Sequence, residues 1–242
     1  MTSSAAAPAL VSCIVPVHNG ARFLGEALAS IAAQQYQPRE IIVVDDGSTD
    51  DTARVASDSG VALRYLRQEQ GGGPSARNHG MREARGSFFA FLDADDRWHP
   101  DKLILQMARF EARPELDISL GHVQNFWMPE VDAERALLAG TRRTAPIPGY
   151  TASTLVARRE VFARLGPFNA AMKHGEQTEW FLRARESGAE IELLPEVLLE
   201  RRLHGDNVSR HKAEASLAQY FALLKGHLER VRRDDPTAPP LP

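Results

Sequence analysis

Short apolar runs alternate with amphipathic stretches along the first half of the chain. The apolar runs predict strands at residues 11–17, 40–44, 61–67 and 88–92. The amphipathic stretches carry apolar residues at three- and four-residue spacing, which predicts helices at residues 23–31, 52–57, 74–85 and 100–110. Strands that alternate with helices in this way predict an α/β fold, in which helices flank a mainly parallel central sheet.

Several helix boundaries are marked by the residues that stand there. Asn19 is placed to cap the first helix, and Pro74 or Ser75 begins the third. Pro100 opens the fourth helix and Pro114 ends it, because proline lacks the amide hydrogen that a helix interior needs.

The second half of the chain has a less regular pattern. Strands are predicted at residues 118–128, 150–157, 190–194 and 197–203, and helices at residues 160–165, 176–187 and 213–233. A polar excursion covers residues 130–144. No internal repeat or shift in composition divides the chain, so we expect a disordered start (1–9), one domain (10–233) and a loose tail (234–242).

Composition and charge exclude some classes of function. The chain is 43% hydrophobic and 25% charged, as is ordinary for a soluble globular protein. A net charge of −3 argues against a nucleic acid as partner, because nucleic-acid binding calls for a strongly basic surface. The single cysteine, Cys13, lies in an apolar run, which favours a buried, unreactive thiol and is consistent with a reducing compartment.

The sequence also bears on the location of the protein. No run of about 18 apolar residues exists, so no integral membrane segment is predicted. The first ten residues do not resemble a signal peptide. The predicted location is the cytoplasm, and peripheral attachment to the inner membrane face stays open.

Acidic residues crowd the end of the fourth predicted strand. Asp93, Asp95 and Asp96 lie within four residues directly after an apolar run. Carboxylates this close repel one another unless a positive group lies among them. A divalent cation that holds a phosphate-bearing ligand is one interpretation. A solvated loop after a core strand is the other.

Polar clusters follow two further strands. His18-Asn19 follows the first strand, and Asp45-Asp46 ends the second. In open α/β sheets, ligands bind outside the carboxyl ends of the strands, so three such clusters together predict a binding site. The glycines at residues 71–73 precede a helix N-terminus, which suits a phosphate, and Arg77 lies one turn into that helix. The dinucleotide and P-loop fingerprints are both missing.

Four motifs in this order resemble the family 2 glycosyltransferases of the GT-A fold. They lie at residues 13–19, 41–50, 72–78 and 91–96, and the resemblance extends over residues 11–210. It implies a single nucleotide-sugar-binding domain whose C-terminal half builds the acceptor side. It implies a nucleotide-sugar as partner, most often a UDP-sugar, while the acceptor and the oligomeric state stay unknown.

The resemblance also implies roles for individual residues. Asp46, with Asp45 beside it, would accept a hydrogen bond from the nucleotide base. Arg77 would lie over the nucleotide, and Asp93 would face the ribose. Asp95 would hold Mn²⁺ or Mg²⁺ on the diphosphate, and His204 would complete the metal shell. Ser209 and Arg210 would contact phosphate. The implied nucleotide-sugar-binding residues are Pro16, Val17, Asn19, Asp45, Asp46, Gly73, Arg77, Asp93 and Ala94.

One departure from the family pattern concerns the catalytic base. Members usually carry Glu-Asp at the start of the helix that begins here at residue 176, and the Asp is the base. This chain has Glu176-Gln177, and a neutral amide cannot take a proton. Glu176 and Glu179 are both candidates for the base. Glu176 is preferred, although a helix N-terminus lowers a carboxylate pKa and so weakens it as a base.

The leading hypothesis is therefore a metal-dependent, inverting glycosyltransferase of the hexosyltransferase type. Gln177 motivates an alternative, a nucleotide-sugar-binding protein without transferase activity. A nucleotidyltransferase of related fold is a weaker third hypothesis, because its glycine-rich signature with a basic residue is missing from the first strand-to-helix turn.

Overall fold

The computed structural model describes residues 7–137, 140–141, 144–172 and 174–207. Several predictions made from the sequence lie outside these residues. They are most of the disordered start, the helix at 213–233, the tail at 234–242, and Ser209 and Arg210.

The described residues form one nine-stranded sheet. Its first four strands are β1 (Val11–Val17), β2 (Arg39–Asp46), β3 (Arg64–Gln68) and β4 (Phe88–Phe91). The later strands are β5 (Arg97–Trp98), β6 (Ile118–Trp127), β7 (Ile147–Pro148), β8 (Val156–Arg158) and β9 (Ile191–Leu203). The order is β3-β2-β1-β4-β8-β6-β9-β5, and β7 pairs with β6.

Helices cover the sheet. They are α1 (Leu24–Ala32), α2 (Thr52–Asp58), α3 (Gly73–Glu83), α4 (Lys102–Ala112), α5 (Asp132–Leu137), α6 (Arg159–Leu165) and α7 (Glu176–Glu186). Within the described parts of the chain, no helix combines the length and the apolar character needed to cross a bilayer.

The sheet is parallel over its first four strands and mixed beyond them. Strands β3, β2, β1 and β4 pair in parallel, as the alternating pattern predicts. Strand β8 then pairs antiparallel with both β4 and β6, and β5 pairs antiparallel with β9, whereas β6 and β9 are parallel. All seven residues of β1 are buried, so the sheet is covered on both faces. Cys13 is one of them, which confirms the predicted buried thiol.

Three predicted strands of the second half were wrong in detail. Residues 150–157 were expected to be extended, but Ala152–Thr154 form a 3₁₀ turn before β8. The Thr154 hydroxyl donates to the carbonyls of Gly149 and Thr151, a local bond that competes with a strand ladder. The two strands expected at 190–194 and 197–203 form one strand, β9, whose pairing with β6 shifts beside Pro195, a residue that cannot donate to the ladder.

Two further local predictions need correction. Asn19 does not cap α1, which begins at Leu24 after Phe23. Instead Asn19 takes a positive φ of 51°, and its side-chain oxygen accepts from the Thr49 amide at 2.8 Å. The polar excursion at 130–144 also holds a helix, α5, after a 3₁₀ turn at Pro129–Val131.

An unusual buried lysine lies on α4. Lys102 is fully buried; its ammonium group donates to Gln106 at 2.7 Å and lies 4.4 Å from the centre of the Trp98 ring. Burial disfavours the charged form and lowers the pKa of Lys102 to about 7. The stability of the fold should therefore depend on pH through this residue.

Candidate active site

A cavity of about 780 Å³ opens at the carboxyl ends of β1, β2 and β4. The starts of α3 and α7 and the segment after β9 complete its wall. Carboxyl ends of parallel strands meet at one edge of a sheet, so polar residues that are distant in sequence converge there.

Asp46 ties the end of β2 to the loop before α3. Its Oδ1 accepts from the Gly71 amide at 2.8 Å and from Gln68 at 2.7 Å, and its Oδ2 accepts from the Gly72 amide at 2.7 Å. Gly72 has a φ of 89°, which L side chains rarely adopt. The Asp46 carboxylate thus fixes a glycine loop against one side of the cavity.

The neighbouring Asp45 turns away from this cavity. Its Oδ2 accepts from the Tyr65 hydroxyl at 2.6 Å and from Arg67 at 3.0 Å, and its Oδ1 accepts from the Ser48 amide at 2.7 Å. Burial favours the neutral carboxyl, but the hydrogen bonds from Ser48 and Tyr65 and the charge of Arg67 outweigh it and lower the pKa of Asp45. Asp45 therefore stabilises the turn after β2 and does not line the cavity.

His18 lines the cavity beside Asp46. Its Nδ1 lies 2.8 Å from the Asp46 carbonyl oxygen, which can only accept, so Nδ1 carries the proton. Its Nε2 then accepts from the Gln70 amide at 3.1 Å. These contacts fix both the ring orientation and the tautomer of His18.

Arg77 connects three parts of the wall. It is 5% exposed; its Nη2 donates to Asp93 at 2.6 Å and its Nη1 donates to Glu176 at 3.3 Å. Burial alone would lower the pKa of Arg77, but the charges of Asp93 and Glu176 outweigh it and raise the pKa. The guanidinium thus holds the end of β4 and the start of α7 against α3.

Asp95 and His204 face each other across the cavity floor. His204 Nε2 lies 3.2 Å from Asp95 Oδ2, which also accepts from the Asn207 amide at 3.1 Å. Two ligands of one octahedral cation, each about 2.1 Å from it, lie about 3 Å apart. The described residues contain no cluster of three or more His, Cys, Asp or Glu arranged for a metal. This pair fits a cation whose other ligands come from a bound molecule or water.

Asp96 has a structural role beside this pair. It is buried, and its Oδ1 accepts from the Arg202 amide at 2.9 Å. Burial, and then the charges of Asp95 and Asp93, raise the pKa of Asp96 well above its ordinary value.

The start of α7 separates the two candidate bases. Glu176 lines the cavity, whereas Glu179 pairs with Arg183 at 3.0 Å and does not line it. Gln177 also faces the cavity; its Oε1 accepts from the Thr151 hydroxyl at 2.9 Å and from the Ala152 amide at 2.8 Å. Its amide nitrogen lies 3.4 Å from Glu176 Oε1.

The structure brings most of the predicted site residues together. Those that line the one cavity are Pro16, Val17, Asn19, Asp46, Gly73, Arg77, Asp93, Ala94, Asp95, Glu176 and His204. Asp45 and Glu179 lie outside it.

A family model with the description "Glycosyl transferase family 2" matches residues 12–172. The chain belongs to this family. An uncharacterised glycosyltransferase of Rickettsia typhi is 30% identical over an alignment of 237 residues, which covers 93% of this chain and 74% of the relative. Family membership confirms that the chain is a glycosyltransferase.

Solved structures confirm the GT-A fold of this family 2 glycosyltransferase. S. aureus TarS 1–349 in complex with UDP-GlcNAc has a TM-score of 0.66 and 22% identity, over 83% of this chain and 60% of that one. A mannosyltransferase from Pyrobaculum calidifontis in complex with GDP-Man and Mn²⁺ has a TM-score of 0.68 and 24% identity, over 95% and 66%. The chain thus spans about two thirds or less of these structures.

Sequence reasoning missed two contributors to the site of this glycosyltransferase. Asn207 spans Asp95 and the backbone oxygen of Arg202, with donor distances of 3.1 Å to each. Asn207 lies three residues after His204, and this short spacing was the sequence feature that could have predicted its place in the site. Gln177 was seen as a missing base, whereas the structure shows that it joins α7 to the turn at Ala152–Thr154.

Proposed function

We propose that this glycosyltransferase transfers a sugar from a nucleotide-sugar, a UDP-sugar in the first instance, to an acceptor hydroxyl with inversion. The observation that carries the proposal is the Asp95–His204 pair, which lies in the same cavity as Asp46, Arg77 and Glu176. The residues proposed for the nucleotide, the cation and the base all line this cavity of about 780 Å³, a volume within the usual range for a small-molecule ligand.

Two neighbouring structures support a nucleotide-sugar as donor. TarS is complexed with UDP-GlcNAc and the Pyrobaculum enzyme with GDP-Man. In this chain Asp46 has room for a further hydrogen bond, which suits a base with a ring N–H, as uracil has. Among the described residues Gly72 is the one hydrogen-bond donor to its Oδ2, so a lone pair is left for the N3–H of uracil.

Asp95 and His204 would hold the divalent metal. The Mn²⁺ in the Pyrobaculum complex supports this assignment. One carboxylate and one imidazole favour Mn²⁺ over Mg²⁺, because imidazole is the softer ligand. When bound, the cation neutralises negative charge on the departing nucleoside diphosphate.

Glu176 is the base that the geometry favours. It faces the cavity, and Arg77 and Gln177 both direct a nitrogen at its Oε1. The proton of the acceptor hydroxyl would pass to Glu176 as the acceptor oxygen forms a bond to the anomeric carbon. The bond from that carbon to the diphosphate oxygen breaks, and its electron pair leaves with the nucleoside diphosphate. A single displacement of this kind inverts the anomeric configuration.

The test is UDP release from a panel of UDP-sugars and acceptors by the wild type, Glu176→Gln and Glu179→Gln. We expect acceptor-dependent release that Glu176→Gln removes and Glu179→Gln retains. Binding of UDP-sugars without turnover on any acceptor would instead support the nucleotide-sugar-binding alternative. The cytoplasmic location stays a prediction from the sequence.

A further inference from the structure

The guanidinium of Arg202 is in contact with the surroundings of both members of the Asp95–His204 pair. Arg202 is 3% exposed, and it lies near the end of β9, two residues before His204. Its Nε donates to the backbone oxygen of Asp95 at 2.9 Å. The side chain thus joins the strand that leads directly to His204, one candidate ligand, to the loop that carries Asp95, the other.

Two aromatic rings hold this guanidinium. Its central carbon lies 4.5 Å from the centre of the Phe23 ring and 4.7 Å from that of Phe126. Phe23 also packs against the His204 ring, with 4.7 Å between centroids. Arg202 therefore supports Asp95 through a hydrogen bond and His204 through a shared aromatic neighbour.

The backbone of Arg202 strengthens the same connection. Its amide donates to Asp96 at 2.9 Å, and its carbonyl accepts from Asn207 at 3.1 Å. The side-chain nitrogen of Asn207 also donates to Asp95 Oδ2, and the side-chain oxygen of Asn207 accepts from the backbone amide of His204 at 2.6 Å. A displacement of Arg202 would move both candidate metal ligands.

The charge of Arg202 is offset nearby. A guanidinium next to a cation site would repel the cation, but Glu26 accepts from Arg202 Nη2 at 2.7 Å. The contribution of Arg202 to the site is therefore geometric. Its planar fork reaches Asp95 and Glu26 together, which the single ammonium of lysine cannot reproduce.

We propose that Arg202 is a positioning residue that sets the distance between Asp95 and His204 and so the affinity for the divalent cation. The proposal rests on the metal pair of the proposed function. Outer contacts that orient metal ligands change affinity about 10- to 100-fold when they are lost.

The chain offers a matched control in Arg97. Its guanidinium lies 4.5 Å from the same Phe126 ring and pairs with the same Glu26 at 3.3 Å. The other bond of Arg97 goes to Glu200, at 2.9 Å. Arg97→Lys therefore perturbs the same surroundings without touching the bond to Asp95.

The experiment measures Mn²⁺ affinity by electron paramagnetic resonance in the presence of UDP, and UDP affinity by calorimetry without metal. For Arg202→Lys we expect the Kd for Mn²⁺ to rise about tenfold or more, while the Kd for UDP alone stays within about twofold. For Arg97→Lys we expect both constants to stay within about twofold of the wild type. A purely structural role would not separate the two constants.

Equal Mn²⁺ affinity in the wild type and a folded Arg202→Lys would overturn the positioning role alone. A wild type that binds UDP but not Mn²⁺ would overturn the metal pair, and this proposal with it. If Arg202→Lys does not fold, Phe126→Leu removes one ring from the guanidinium and leaves Arg202 in place. A threefold or larger rise in its Kd for Mn²⁺ supports the proposal, and an unchanged Kd overturns it.

Discussion

The two halves of the cavity wall are built in different ways. On the proposed nucleotide side, the ends of parallel strands β1, β2 and β4 present residues that follow directly on apolar runs. On the proposed acceptor side, the residues come from the start of α7, and the segment after β9 adds His204 beside the end of β4. Because each of these strands ends directly before its polar residues, the first half can be recognised in the sequence as short motifs. The second half depends on contacts between distant segments, and there Gln177 stands where the resemblance leads us to expect an Asp as base.

Removal of the candidate metal ligand Asp95 should have the largest effect on transfer. Asp95, at the end of β4, contacts His204, in the segment after β9, and so links the two halves of the wall. We expect Asp95→Asn to reduce transfer by about 10³-fold or more, since charge on the leaving diphosphate loses its counterion. UDP release reports the change. Asp101→Asn is the control, because Asp101 is half exposed and lies outside the cavity. Transfer by Asp95→Asn at the wild-type rate would refute the metal assignment.

The candidate bases of the acceptor side give the next largest effect. Glu176→Gln should lower kcat by about 10²-fold or more, because the amide cannot accept the proton of the acceptor. Glu179→Gln should change kcat less than about threefold. The substitution removes only the ion pair between Glu179 and Arg183, which is partly exposed and lies outside the cavity. The same release assay applies, and the reverse ranking would make Glu179 the base.

Two adjacent aspartates sharpen the comparison within the nucleotide side. Asp46→Asn should weaken UDP binding about tenfold, because an amide nitrogen would oppose the Gly71 or Gly72 amide. Asp45→Asn should leave UDP affinity within about threefold but lower the free energy of unfolding by about 1–3 kcal/mol. Calorimetry measures the UDP affinity, and urea denaturation measures the free energy of unfolding. Equal losses of UDP affinity would place both aspartates at the base.

The last prediction concerns the stability of the fold alone, through Lys102. A lysine whose pKa is about 7 in the folded state and higher in the unfolded state binds fewer protons when folded. Through this residue the wild type should therefore gain about 1.4 kcal/mol of stability per pH unit between pH 7 and 9. Above pH 9 the buried Cys13 thiol, whose pKa burial raises to about 12, offsets the gain. Lys102→Met should lack this slope. Urea denaturation at several pH values tests it, and parallel pH profiles for the two proteins would contradict the lowered pKa of Lys102.

The nucleotide side could be predicted from sequence because its signals are local. Apolar runs marked β1, β2 and β4, and ligands bind at such strand ends whatever follows. The sequence could not show which of Asp45 and Asp46 lines the cavity. Successive residues of a strand point to opposite faces, and only the contacts with Tyr65 and Gly72 show which face meets the cavity.

The acceptor side was less predictable because its pairings are distant in sequence. The antiparallel pairing of β8 with β4 joins residues about seventy positions apart. Glu176 and Glu179 stand one turn apart on α7, so sequence alone could not separate them. The partners do: Arg77 holds one at the cavity and Arg183 holds the other away from it.

The central claim is that one cavity binds a nucleotide and a divalent cation together. Calorimetric titration of UDP into the wild type and into Asp95→Asn, each with and without Mn²⁺, tests it most directly. We predict that Mn²⁺ tightens UDP binding by the wild type about tenfold or more and has little effect on the variant. UDP binding that is the same with and without Mn²⁺ in the wild type would contradict the claim.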